Sequence, residues 1–402
     1  MRLGHNFIWQ FLGQGVAKGL GLLFFLLLPR WTGLELYGQF TFALALGLMI
    51  LQPLLELGLD LVVTKWVSRN QPGVIQNALW TRLGMAGVCG LLLPLLATLG
   101  SALSLLAMLY LYLVLLSIQR LCFAVQRGYE QMRLEAIANV IHKGLAVLLL
   151  AGLYWLKLPS LWLAPIALVL ATAIATLLAW IYTWPHIKPA LEQPLDLKQV
   201  QKTATEGVLL GGVVLLGMLY FRIDTVMLGL LQGDEAVGLY NLAYKLIEGT
   251  IMLPSVILIV TFPRLAQPAK FSRMFRNLFG VLGISGLVVC GAMVLSSAWL
   301  VTTIYGTDFQ GAIAILQLLS FTLIPIYWGH LATQSLVALD QQKLYLLLTL
   351  AAVGLNVGLN AWLIPSYSAQ GAAIATIITE SLMMLSCFGG VWWLRFRQQL
   401  TV

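Results

Sequence analysis

Apolar residues run through this chain in long unbroken blocks, without the residue-by-residue alternation of a half-buried strand. A helix crossing a bilayer needs roughly 20 mostly apolar residues. That rule predicts twelve spans: 6–28, 39–60, 75–99, 103–125, 134–156, 160–182, 204–231, 237–262, 277–304, 311–338, 344–364 and 370–394. Turn chemistry marks the breaks: Pro29-Arg30 before Thr32-Gly33, Gln71-Pro72-Gly73, Lys157-Leu158-Pro159, Tyr305-Gly306-Thr307-Asp308 and Pro365-Ser366. Pro53, Pro94, Pro165, Pro254 and Pro325 fall inside spans, where they read as kinks that neighbouring helices re-satisfy. The expected fold is an all-α polytopic membrane protein.

Composition agrees. Of 402 residues, 60% are hydrophobic and 9% charged. A soluble domain is about 45–50% apolar and about 25% charged. A soluble enzyme and a disordered chain are excluded, and continuous apolar runs argue against a β-barrel. Cys89, Cys122, Cys290 and Cys387 lie in apolar runs without CxxC spacing, so they read as small core residues. The first run carries Gln10, Gln14 and Lys18 and reads as a retained helix, not a signal peptide. There is no Walker loop, HExxH or GxSxG, and no metal-spaced Cys/His cluster; neither an enzyme nor a cofactor is expected.

The net charge of +8 becomes informative once it is sorted by position. With twelve spans, the termini and the even-numbered loops share one side, which holds fifteen Lys and Arg. The other side holds two, Arg30 and Lys157. The positive-inside rule then places both termini in the cytoplasm, across a cytoplasmic (inner) membrane, and removes any reason to expect nucleic acid. Six basic residues remain within spans: Lys18, Arg82, Arg120, Lys143, Arg222 and Lys245. The intramembrane acids are Glu56, Asp224, Glu248 and Glu380, with Asp60 and Glu206 at span ends.

The chain also repeats. Gly33-Leu34-Glu35-Leu36-Tyr37-Gly38-Gln39-Phe40 follows span 1, and Gly233-Asp234-Glu235-Ala236-Val237-Gly238-Leu239-Tyr240 follows span 7. Both fit G-x-E-x-x-G-x-aromatic, 200 residues apart, and Pro53 and Pro254 follow at nearly the same offset. Six spans separate the copies, so the halves enter the membrane in the same sense. They form a parallel repeat about an axis along the membrane normal. The expected organisation is an N-terminal lobe over 1–182, a polar cytoplasmic linker over 183–203 and a C-terminal lobe over 204–402.

Intramembrane ionisable groups face cavities or partners. Helical spacing sorts them into stripes. Gln10, Gln14 and Lys18 share one face of span 1, and Asn139 and Lys143 share one of span 5. Asn241, Lys245 and Glu248 line span 8, and Asn356 and Asn360 line span 11. Lys18, Arg82, Lys143, Arg222 and Lys245 are the expected cavity cations. Arg120 reads as a snorkelling side chain near a helix end, and Asp224 as a partner for Lys245. Basic groups outnumber acids in the spans, which favours an anion such as phosphate or pyrophosphate.

Four stretches carry a family resemblance: PRWTGLELYGQFTFALAL (29–46) with ELGLD (56–60), YFRIDTVMLGLL (220–231) with AVGLYNLAYKLIE (236–248), IYGTDFQGAIAILQLL (304–319), and NVGLNAWLIPSYSAQGAAIATIITE (356–380). In order and spacing the chain resembles the Wzx-type polysaccharide flippases of the multidrug/oligosaccharidyl-lipid/polysaccharide exporter superfamily. The resemblance implies two six-helix lobes around a central cavity. It implies alternating access that moves an undecaprenyl pyrophosphate-linked glycan between leaflets, and it leaves open a pairing with a polysaccharide polymerase. It also implies coupling to an ion, with Asp224 and Glu248 as the candidate carboxylates. Two alternatives in the same superfamily stand beside it. A lipid II flippase is disfavoured by the compact twelve-span length, and a drug/cation antiporter by the cationic surplus.

Overall fold

The computed structural model describes the backbone of residues 2–97, 101–194 and 196–400, and side chains from residue 12 onward except 92, 95–103, 195, 209, 210, 213 and 395–402. Every regular element among the described residues is helical. Spans 1 to 10 fall on Arg2–Thr32, Leu34–Val67, Gly73–Ala97, Ser101–Gly128, Met132–Trp155, Ser160–Leu191, Leu197–Gln232, Asp234–Leu265, Pro268–Ile304 and Ala312–Ala338. The last helical stretch, Gln342–Leu400, has 59 residues. At 1.5 Å per residue it would run about 90 Å, three times the hydrocarbon core. It breaks at Ser368 (φ 51°, ψ −133°), just after Pro365, and so supplies spans 11 and 12. The chain is a multi-pass membrane protein.

The repeat seen in sequence is also a repeat in backbone. Gly33 sits at φ 83°, ψ 171° and Gly233 at φ 86°, ψ −173°, each just before the next helix begins, at Leu34 and Asp234. Only glycine adopts that conformation without strain. The prolines of the two following spans are absorbed differently. Pro53 has no N–H, and a π-helical turn over Gly47–Leu51 precedes it. Span 2 then breaks at Leu57 and Gly58, both left-handed. Pro254 leaves the Thr250 carbonyl without its helical donor, and the Tyr327 hydroxyl of span 10 donates to that carbonyl at 2.9 Å.

The structure divides into two compact units, Met1–Arg222 and Ile223–Val402. Both flanking helices continue into the polar stretch 183–203, so among its described residues only 192–194 and 196 lie outside helices. The first part of span 7 belongs to the first unit and touches spans 2 and 3. Three glycines explain why: Gly58 at the break of span 2 lies directly against the backbone of Gly207 and Gly211. Spacing of four puts those two on one face, as in close-packed membrane helices. The core of the first unit joins Leu59, Ile75, Leu121, Ala179 and Ile187 from spans 2, 3, 4 and 6. In the second unit Leu258, Leu282, Leu331 and Cys387 join spans 8, 9, 10 and 12. All four cysteines are free and buried.

Candidate functional site

The second unit holds its carboxylate in a neutral cage. Asp224 is buried, with 7% of its surface exposed. Asn360 Nδ2 donates to Oδ1 at 2.6 Å, and Tyr240 Oη and Thr376 Oγ1 each donate to Oδ2 at 3.0 Å. Asn360 also donates to Asn356 Oδ1 at 2.9 Å, tying the span 11 stripe to the carboxylate. Thr225 donates to Asn241 Oδ1 at 3.3 Å beside it. The Asp224–Lys245 pair expected from sequence does not form: Lys245, itself buried, pairs with the half-exposed Glu248 at 2.5 Å, three residues along its own helix. The buried Asn360 Oδ1 finds no donor among the described residues. A carboxyl group and the unpaired amide oxygen of the asparagine bonded to it, with no cation among the donors to Asp224, form an oxygen-rich site suited to a proton or a hard cation.

The first unit pairs two of its intramembrane arginines with carboxylates. Arg82 is buried, forms an ion pair with Asp60 and donates to the Ser117 carbonyl. Arg120 donates to Glu56 at 2.9 Å, and Gln52 donates to the same carboxylate. Arg120 therefore does not snorkel; the buried Glu56 of span 2 holds it inside. Arg82 is engaged within the core, which separates it from the other expected cavity cations. Lys18 and Gln14 are exposed on span 1, while the side chain of Gln10 lies outside the described residues. Asn139 and Lys143 are half-buried on span 5. The Lys143 stem reaches span 1 at Gly21, 3.8 Å from where a Cβ there would stand, so Lys143 and Lys18 lie on adjoining helices one turn apart. Arg222 is half-buried at the end of the first unit.

The family described as "Polysaccharide biosynthesis protein" matches residues 3–268. The chain belongs to this polysaccharide biosynthesis family. The resemblance read from the sequence therefore holds. A relative named "Probable flippase AglR", from Haloferax volcanii, is 29% identical over 177 residues, covering 41% of this chain and 36% of that protein. The matches span 36% and 41% of the length of the curated relatives. Among solved structures, the lipid II flippase MurJ in an inward closed conformation superposes with a TM-score of 0.79 at 13% identity, over 96% of this chain and 87% of that one. An inward-facing multidrug resistance MATE family transporter of the MOP superfamily gives 0.73 at 16% identity, over 95% and 94%. At such identities the two structures establish a shared two-lobed fold.

Two members of the Asp224 cage were not singled out from the sequence of this family member: Tyr240 and Thr376. Tyr240 is the aromatic of the second repeat motif, where the first copy has Phe40. The hydroxyl added in one copy only was the available signal. Thr376 carried none, being one of several threonines in its helix.

The pairing in the first unit yields a stability test. Arg82→Ala leaves the Asp60 carboxylate without its cation and is expected to cost about 3–5 kcal/mol. Arg82→Met with Asp60→Leu removes both charges and should recover most of that loss. Thermal unfolding in detergent reads both; a double variant no more stable than the single one refutes the pair as the source.

Proposed function

We propose that this protein is a flippase that carries a lipid pyrophosphate-linked oligosaccharide across the cytoplasmic membrane by alternating access. One observation carries the reading. A member of a polysaccharide biosynthesis family places Lys18, Lys143, Arg222 and Lys245 within membrane-crossing helices, where a charge is costly unless a ligand or partner uses it. Lysine meets a phosphate as a point charge and arginine as a fork. Fifteen basic residues on the terminal side against two on the other support cytoplasmic termini. The likeness to a probable flippase supports the activity, and an undecaprenyl-type carrier with a polysaccharide polymerase downstream fits that chemistry.

In this mechanism Lys18, Lys143 and Arg222 of the first unit and Lys245 of the second each offer a positive charge to the pyrophosphate. Gln14 on span 1 and Asn139 on span 5 supply hydrogen bonds to sugar hydroxyls, while the buried Asn241 is taken up by Thr225 and the Val237 carbonyl. Asp224 takes up the coupling cation, a proton or a hard monovalent ion. Neutralising Asp224 changes the cost of burying it, and a cation shifts a conformational equilibrium by its difference in affinity for the two states. Glu248, exposed beside Lys245, competes with the pyrophosphate for that lysine.

The test uses vesicles holding a fluorescent lipid pyrophosphate-linked sugar and an external quencher. Lys18→Ala, Arg222→Ala and Lys245→Ala are each expected to slow exposure to the quencher at least about tenfold, the effect of about 1.4 kcal/mol. Wild-type rates in all three would end the cationic-cavity mechanism.

A further inference from the structure

The break in span 8 leaves more than a kink. Around the turn at Ile251 the small Gly249 and the displaced helix leave a crevice of about 430 Å³ between spans 8, 9 and 10. Met252, Leu253 and Val256 line it from span 8, Val289 from span 9 and the Tyr327 ring from span 10. Of the polar groups on its lining residues, the Tyr327 hydroxyl donates to the Thr250 carbonyl and the Thr250 hydroxyl donates to the Ile247 carbonyl. The lining therefore asks for no hydrogen bond, and a charged or strongly hydrated ligand would gain nothing there. Its volume lies in the range of small-molecule sites.

Depth and surroundings indicate what enters. Gly249, Val289 and Tyr327 stand close to the midpoints of spans 8, 9 and 10, at the level of the hydrocarbon. Leu253, which lines it, is an exposed apolar side chain, so the crevice opens at the surface of the second unit. A hydrocarbon chain can slide in from the side without crossing a polar boundary.

The head end of the same helix selects one hydrocarbon. Lys245 precedes Thr250 by five residues, about 7.5 Å along the helix axis. A chain attached to a phosphate held at Lys245 has this apolar recess within reach along span 8. We propose that the crevice holds the first isoprenoid units of the lipid pyrophosphate substrate, an inference that rests on the flippase reading for the identity of that lipid. The protein then grips its cargo at two points, the pyrophosphate electrostatically and the adjoining chain by apolar burial.

The experiment uses farnesyl pyrophosphate bearing a diazirine on its tail, photolysed with the protein in phosphatidylcholine nanodiscs. Label is expected on residues 249–256 and around Val289. Excess undecaprenyl pyrophosphate should remove it, and excess phosphatidylglycerol should not. Val289→Trp, which fills the crevice from span 9, is expected to weaken farnesyl pyrophosphate binding about tenfold and leave inorganic pyrophosphate binding unchanged. Val256→Phe fills it from span 8 and serves if the tryptophan variant fails to fold. Competable label that falls elsewhere overturns the crevice and leaves the flippase reading intact. Label removed equally by phosphatidylglycerol makes this a general lipid recess and overturns it likewise. A wild-type protein that binds neither pyrophosphate lipid overturns the flippase reading, and this inference with it.

Discussion

Asp224→Asn is expected to abolish cation-driven transport, by roughly 100-fold, while leaving the protein folded and at least as thermostable as wild type. Asparagine keeps the shape of the side chain and an oxygen that accepts from Tyr240 and Thr376, while its NH2 turns toward Asn360, whose amide flips to present its unpaired oxygen. It removes the ionisable group from a cage whose donors, Asn360, Tyr240 and Thr376, are all neutral. An isolated buried carboxylate is costly, so removing its charge relieves strain in the empty state. In the proposed mechanism the same change removes what the cation binds. A cation that no longer distinguishes two conformations shifts neither, and a 100-fold loss corresponds to about 2.7 kcal/mol of coupling. Transport is read in vesicles under an imposed gradient, once with sodium varied at constant pH and once with pH varied at constant sodium. Whichever gradient drives the wild-type protein names the ion. Cation-driven flux unchanged in the asparagine variant would remove Asp224 from the mechanism.

Gly58→Val should prevent the first unit from assembling. Gly58 sits at φ +67°, and the previous residue is already left-handed, so a β-branched side chain there is strained before it meets a neighbour. A Cβ at Gly58 would stand 2.6 Å from the Gly207 carbonyl oxygen and closer still to the Gly211 amide nitrogen. The reverse contacts are as tight: a Cβ at Gly207 would lie 2.5 Å from the Leu57 carbonyl oxygen. These are backbone atoms and cannot rotate away. Strain and clash together place the cost above about 4–5 kcal/mol, the exceptional end of single substitutions. Gly212 is the control. A Cβ there meets nothing within 4 Å, and Gly212→Ala should stabilise its helix by about 0.5–1 kcal/mol. Fluorescence-detected size exclusion after a heat step reads both. A valine variant that survives within a few degrees of wild type would show that spans 2 and 7 do not depend on this contact.

The membrane-crossing pattern was legible because it is local. Span positions follow from apolar length, and the prolines and glycines that interrupt them stand in the sequence where the backbone breaks. The repeat was legible for a similar reason: Gly33 and Gly233 hold one backbone conformation that side chains disfavour, and it marks both copies. Comparing the copies at their offset of 200 shows where the chemistry lies. Asp224, Tyr240, Lys245 and Glu248 stand opposite Phe24, Phe40, Ala45 and Leu48. The second half carries the buried carboxylate and its hydroxyl donor, and the first half has apolar side chains in their places.

Partnership among the charges was not legible. Helical spacing gives the face on which a residue lies, but not which helix that face meets. Asp224 is held by Asn360 and Thr376, which lie 136 and 152 residues further along the chain. Arg120 is drawn to Glu56 across 64 residues. In each case the nearer reading, a pair with Lys245 or escape to the headgroups, lost to a partner brought close by helix packing. The linear chain thus set the number of crossings, the parallel repeat and the surplus of positive charge, because each depends on length, local backbone chemistry or a count. Only the packed helices decided which charges neutralise one another and which carboxylate stands apart, because in a medium without water a charge is satisfied by whatever the fold places within hydrogen-bonding distance.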